Sequence, residues 1–150
     1  MNLAESPQKQ TQTSTMISAL SLKAKSPSPP TSLEELVAKS IQITKANGTT
    51  IISTISNLLK DPEFSDYAKK CLKDCSDNYS DSLSDLDDAL GAFRSRDFSS
   101  ANIKISAAMN ASATCEDRFK EGKEKSPLTG GKKVYFELNA MSLAFIKMHK

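Results

Sequence analysis

Residues 71–122 read CLKDCSDNYSDSLSDLDDALGAFRSRDFSSANIKISAAMNASATCEDRFKEG, and this stretch decides the fold. Steps of three and four from Leu72 collect Leu72, Cys75, Tyr79, Leu83, Leu86, Leu90 and Phe93, one apolar stripe on a helix. The same steps from Phe98 collect Phe98, Ala101, Ile105, Ala108, Ser112, Cys115 and Phe119, a second stripe. Asp97 stands where an N-cap belongs, so the two helices meet in a short turn and pack as antiparallel neighbours.

Each stripe carries one cysteine, so seam-to-seam packing brings Cys75 and Cys115 within reach of a bridge. Spacing alone equally allows two reduced thiols in the core. Cys71, one helical turn before Cys75, is left as a free thiol or as a competitor for Cys115. A zinc site on the three cysteines lacks a fourth ligand, because the single histidine, His149, lies at the far end of the chain. No metal site is expected.

Outward from this core, Thr31 or Ser32 caps an earlier helix, with Glu34 and Glu35 in its first turn where the helix dipole favours acids. Leu33, Leu36, Val37 and Ile41 open its apolar face, and Ile51, Ile52, Ile55, Leu58 and Leu59 continue it. Asn47-Gly48 interrupts the middle, a point at which this helix is expected to bend or break. Pro62 suits the first turn of the helix that follows. Ser126-Pro127 and Gly130-Gly131 mark a loop, after which Val134, Leu138, Met141, Phe145 and Met148 supply a last seam. The expectation is an all-α, up-and-down four-helix bundle over residues 31–150. Residues 1–30 are rich in Ser, Thr, Gln, Lys and Pro and read as a largely disordered tail. Its one apolar run, Met16 to Leu22, lacks a small-x-small cleavage site and makes no convincing signal peptide.

Composition narrows the function. The chain has 150 residues, no Trp, five Gly and 25% charged residues, enough for one helical core. The formal charge of +2 arises in the tail, where Lys9, Lys23 and Lys25 outweigh Glu5. The rest is neutral and shows no basic face for nucleic acid. No apolar run is long enough to span a membrane. There is no Glu-x-x-His pair for a di-iron centre, no glycine-rich phosphate loop, and no histidine beside a Ser or Cys nucleophile. An enzyme is not expected, nor a cofactor.

The second helix displays acid instead. Asp74, Asp77, Asp81, Asp85 and Asp88 recur on the face away from the seam, with Asp87 beside them and no basic residue between Lys73 and Arg94. Like charges so spaced repel by a few tenths of a kcal/mol (about 0.2–0.5) per pair. The stripe is either a solvated face or a docking surface for a basic partner. Three sequons, at Asn47, Asn78 and Asn110, fit the N-glycosylation pattern.

Cys75 with Asn78-Tyr79, Asp97-Phe98, Ala101, Ser106-Ala107-Ala108, Cys115-Glu116-Asp117 with Phe119, Ser126-Pro127-Leu128-Thr129 and the Leu143 to Ile146 helix together resemble the plant invertase and pectin methylesterase inhibitor family. The resemblance runs from about Ser32 to the C-terminus. Within the family it is most similar to members described as invertase inhibitors, pollen allergens among them. It implies a secreted, extracellular (apoplast) four-helix bundle with Cys75 bridged to Cys115, which binds a cell-wall enzyme and occludes its active-site cleft.

Family members usually begin with a disulfide-closed helical hairpin, whereas this chain has no cysteine before Cys71. Where invertase inhibitors carry Pro-Lys-Phe, this chain has Arg96-Asp97-Phe98. Pectin methylesterase inhibitors engage their target through acidic and polar residues of the bundle helices. The matching positions are Asp77, Asp81, Asp97 and Asp117, with Ser84 standing for a further acid. The implied function is therefore inhibition of pectin methylesterase. Invertase is the alternative target, and a truncated or pro-region-like bundle without inhibitory activity is the alternative of another class.

Overall fold

The computed structural model describes residues 32–149. The tail expectations, including those for Lys9 and Met16 to Leu22, lie outside the described residues. Four helices follow in order: α1 (Leu33–Leu58), α2 (Asp66–Arg94), α3 (Phe98–Glu121) and α4 (Thr129–His149). Each of the first three starts on a side-chain cap. Ser32 accepts from the Glu35 amide at 3.1 Å, Ser65 from the Ala68 amide at 3.0 Å and Asp97 from the Ser100 amide at 3.1 Å, each satisfying an amide with no intrahelical partner.

Sequence-distant contacts fix the directions. Lys45 with Asp87 and Gly48 beside Leu83 run α1 against α2, and Cys75 with Cys115 and Asp85 with Lys104 run α2 against α3. Ser40 with Ser142 and Gly48 beside Tyr135 do the same for α1 and α4. In each pair one number rises as the other falls, so the bundle is up-and-down, with α1 and α3 on opposite corners.

The apolar stripe of α3 packs as its periodicity predicts: Ala101, Ile105, Ala108, Ser112, Cys115 and Phe119 are all buried. On α2, Leu72, Cys75, Tyr79, Leu86 and Phe93 are buried, but Leu83 and Leu90 are only half-buried while Ser82 and Ala89 go inside. The reason is polar. Ser82 shares a 2.6 Å hydrogen bond with the Tyr135 hydroxyl and donates to the Tyr79 carbonyl at 2.7 Å. The seam of α4 is correspondingly shifted. Val134 and Met148 are exposed, and Tyr135 and Ile146 take core positions beside Leu138, Met141 and Phe145.

Three local expectations are corrected. Pro62 lies in a turn before α2, not in its first helical turn, because Ser65 supplies the cap and Asp61 closes the turn by accepting from the Glu63 amide at 2.9 Å. Gly130 and Gly131 belong to the first turn of α4, where the Lys132 amide bonds the Leu128 carbonyl at 2.8 Å. Gly48 neither breaks nor ends α1, which runs unbroken through it.

Gly48 is instead a close approach. A β-carbon there would lie 2.8 Å from Leu83 Cδ2 and 3.0 Å from Tyr135 Cε1, at the junction of α1, α2 and α4. Half-buried Leu83 has room to swing, but the Tyr135 ring is fixed by Ser82 and by the edge of Tyr79, 5.2 Å away between centroids. Gly48→Leu is expected to cost about 1–3 kcal/mol by overpacking. A urea midpoint unchanged from the parent would show that the three helices have slack here.

Tyr79 and Tyr135 are fully buried, and burial pushes both phenols above their ordinary value. The neutral phenols are fully compatible with the fold below the unfolded pKa of about 10, and their contribution falls as pH rises beyond it. The Tyr67 phenol is also raised, by desolvation at the end of α3, but it is exposed and expected to ionise in the native protein, whereas Tyr79 and Tyr135 should ionise in one cooperative step with loss of helical circular dichroism. Smooth titration of all three tyrosines with helix retained would contradict this.

Candidate functional site

The acidic face of α2 is the candidate surface, and the structure divides it. Asp74 pairs with Arg118 of α3 at 3.0 Å, while Lys104 lies 3.7 Å from Asp85 and 3.3 Å from Asp88. Asp87, on the other flank, pairs with Lys45 of α1. Four of the six acids are thus neutralised by neighbouring helices, which a reading of α2 alone misses. Exposed pairs of this kind contribute about 0–1 kcal/mol each, so they shape the charge pattern more than the stability. Asp77 and Asp81 remain exposed and without an ionic partner among the described residues.

The two free carboxylates lie one helical turn apart, between the Asp74–Arg118 pair and the Lys104 pairs. Asp117 is exposed at the same end of the α2–α3 seam, next to Arg118 in sequence. Asp97 is elsewhere. Its amide bonds the Ala92 carbonyl at 2.8 Å, which places it at the far end of α2. That is roughly 20 Å from the level of Asp77 at about 1.5 Å of rise per residue.

Asp97 also has a structural task. Its carboxylate accepts the Ser100 hydroxyl at 2.7 Å and the Ser100 amide at 3.1 Å, and these bonds hold it below the usual carboxylate range. The cap therefore acts fully at pH above the unfolded carboxylate value and weakens as pH falls through the lowered one.

Cys75 and Cys115 form a disulfide with Cα atoms 5.0 Å apart, about a third of the way along the α2–α3 seam from the start of α2. Cys71 is a buried free thiol one turn away. Tyr67 lies across the end of α3, donating to the Arg118 carbonyl at 2.8 Å, and its ring occupies the space a side chain at Gly122 would need. Among the described residues no group of three His, Cys, Asp or Glu could hold a metal, and no helix is long and apolar enough to cross a membrane.

The sequons differ in access. Asn110 is exposed, whereas Nδ2 of Asn78 is buried without a hydrogen-bond partner among the described residues, and Asn47 is half-buried with its Oδ1 enclosed. A glycan is attached through Nδ2, so Asn78 cannot carry one without disturbing a helix seam, whereas Asn110 is exposed.

A model of the family described as plant invertase/pectin methylesterase inhibitor matches residues 9–145. The chain belongs to this family. The matched span covers α1 to α3 and α4 as far as residue 145, and begins inside the segment read as a tail. Among curated relatives, "Putative invertase inhibitor" of Platanus orientalis is 41% identical over 120 residues, covering 77% of this chain and 68% of its own length. "Pectinesterase inhibitor 12" of Arabidopsis thaliana is 38% identical over 118 residues, covering 79% of this chain and 67% of its own length. A crystal structure of a pectin methylesterase inhibitor from Arabidopsis thaliana superposes with a TM-score of 0.70 at 24% identity, over 90% of this chain and 87% of that one. That likeness carries the fold. Members of this inhibitor family are not enzymes, and this member is likewise not one.

Proposed function

We propose that this family member inhibits pectin methylesterase, docking through the outer face of α2 and covering the active-site cleft of its target outside the cell. The observation that carries the reading is the pair Asp77 and Asp81, exposed and left without counter-ions among the described residues while four neighbouring acids are paired. Unpaired carboxylates on a rigid helix attract a basic rim and lose little to rearrangement on docking. Asp117 extends the same surface, and Asp97 serves as a helix cap at the other end.

A second reading, inhibition of a cell-wall or vacuolar invertase, is favoured by the 41% identity to the Platanus protein. Against it stands Arg96-Asp97-Phe98, which places an acid at the tip where invertase inhibitors resemble one another in carrying a lysine. Titrating purified protein in parallel against a pectin methylesterase and a cell-wall invertase separates the two. Stoichiometric loss of esterase activity alone is expected. Loss of invertase activity alone reverses the assignment, and no effect on either enzyme leaves a bundle without inhibitory activity.

A further inference from the structure

At the end of the bundle opposite Asp77, the start of α1, the end of α2, the start of α3 and the last turn of α4 enclose a cleft of about 250 Å³. Three rings build its wall. The Phe93 and Phe98 centroids are 5.6 Å apart, and His149 packs against them at 5.3 and 5.1 Å. Arg94 and Arg96 stand on the rim with Glu34 and Glu35.

Arg94, Arg96 and His149 are under-bonded. Arg96 Nη2 and His149 Nε2 both approach Glu34 Oε1 at 3.4 Å, long beside the ~2.7–2.9 Å of a good charge-assisted bond. Arg94 has no ion pair among the described residues, and His149 Nδ1 is buried without a hydrogen-bond partner among them. Arg96 adopts a left-handed backbone (φ 63°), a conformation that non-glycine residues seldom keep.

We propose that this cleft binds a single pyranose ring of a neutral sugar. The space lies below the ~300–1,000 Å³ typical of drug-sized ligands, and one ring fills it. Two guanidinium groups and the Glu34 carboxylate share the rim, so a free ion of either sign meets repulsion as well as attraction. A polyhydroxylated ring avoids this conflict, because its hydroxyls accept from the arginines and donate to Glu34. Its apolar C–H face lies on the aromatic wall. The proposal is independent of the inhibitory reading, since it is tested on the protein alone.

The chain has one histidine, so the imidazole C–H resonances of His149 are an unambiguous reporter. Full-length protein is titrated by NMR with methyl α-galactopyranoside, sodium galacturonate and glycine. A saturable shift of His149 with the neutral pyranoside is expected, weakened at least tenfold in Arg94→Gln and in Arg96→Gly. Glycine adopts the left-handed backbone without penalty, so Arg96→Gly removes the guanidinium and keeps the turn. The proposal is overturned if the neutral pyranoside gives no saturable shift, if only galacturonate or only glycine binds, or if both arginine variants bind it as the parent does.

Discussion

Asp77→Lys combined with Asp81→Lys is expected to abolish inhibition while leaving the bundle folded. Both side chains are exposed, and neither takes part in an ion pair among the described residues, so their reversal removes no internal contact. Truncating one partner of an interfacial charge pair costs about 2–5 kcal/mol, which is roughly 30-fold to several thousand-fold in affinity. Reversal adds repulsion to that loss. Asp87→Asn is the matched control, because Asp87 turns toward Lys45 on the α1 flank and should leave inhibition unchanged. Added salt should slow association of the parent protein, since charges separated by more than ~10 Å are screened near 0.1 M. A double variant as potent as the parent, with an unchanged helical spectrum, would reduce the stripe to a solvated surface.

Cys75→Ser with Cys115→Ser is expected to produce the largest loss of stability. The bridge closes a loop with a sequence separation of 40, and the chain-entropy model assigns such a loop about 4 kcal/mol. For a bundle of this size that corresponds to a fall in melting temperature of about 10–15 °C. Both cysteines must be replaced, because buried Cys71 lies one turn from Cys75 and is available to Cys115 once Cys75 is gone. Cys71→Ala should leave the bridge intact in unreduced peptide maps. A double serine variant melting within two or three degrees (roughly 1 kcal/mol) of the parent would mean that seam packing alone holds α2 to α3.

How far the chain could be read from its letters depended on what each residue touches. The stripe on α3 is legible because its positions are apolar or small and face one neighbour, so periodicity is the whole signal. Periodicity favours Val134 over Tyr135, since a phenol is ambivalent in sequence and only Ser82, on another helix, satisfies its hydroxyl. Gly48 read as a weak point because helix propensity is a local property. Its actual role, leaving room for Leu83 and Tyr135, belongs to the packing of three helices. The acidic stripe was visible in full, yet its division into paired and unpaired members was not. Lys45, Lys104 and Arg118 lie on other helices, and only the register of the bundle tells which carboxylates they reach.

The bridge between Cys75 and Cys115 sits in the same seam as the Arg118 and Lys104 ion pairs. Helices α2 and α3 are thus fastened covalently, in the first third of α2 and the last third of α3, while α1 and α4 are held by packing and by hydrogen bonds such as Ser40 to Ser142. Opening fluctuations will begin where no covalent tie exists, so amides of the α2–α3 pair should be the last to exchange with solvent. The proposed docking residues ride on this tethered pair. A surface that keeps its shape while the rest of the molecule breathes meets its target already set, and little of the binding free energy is lost to ordering it.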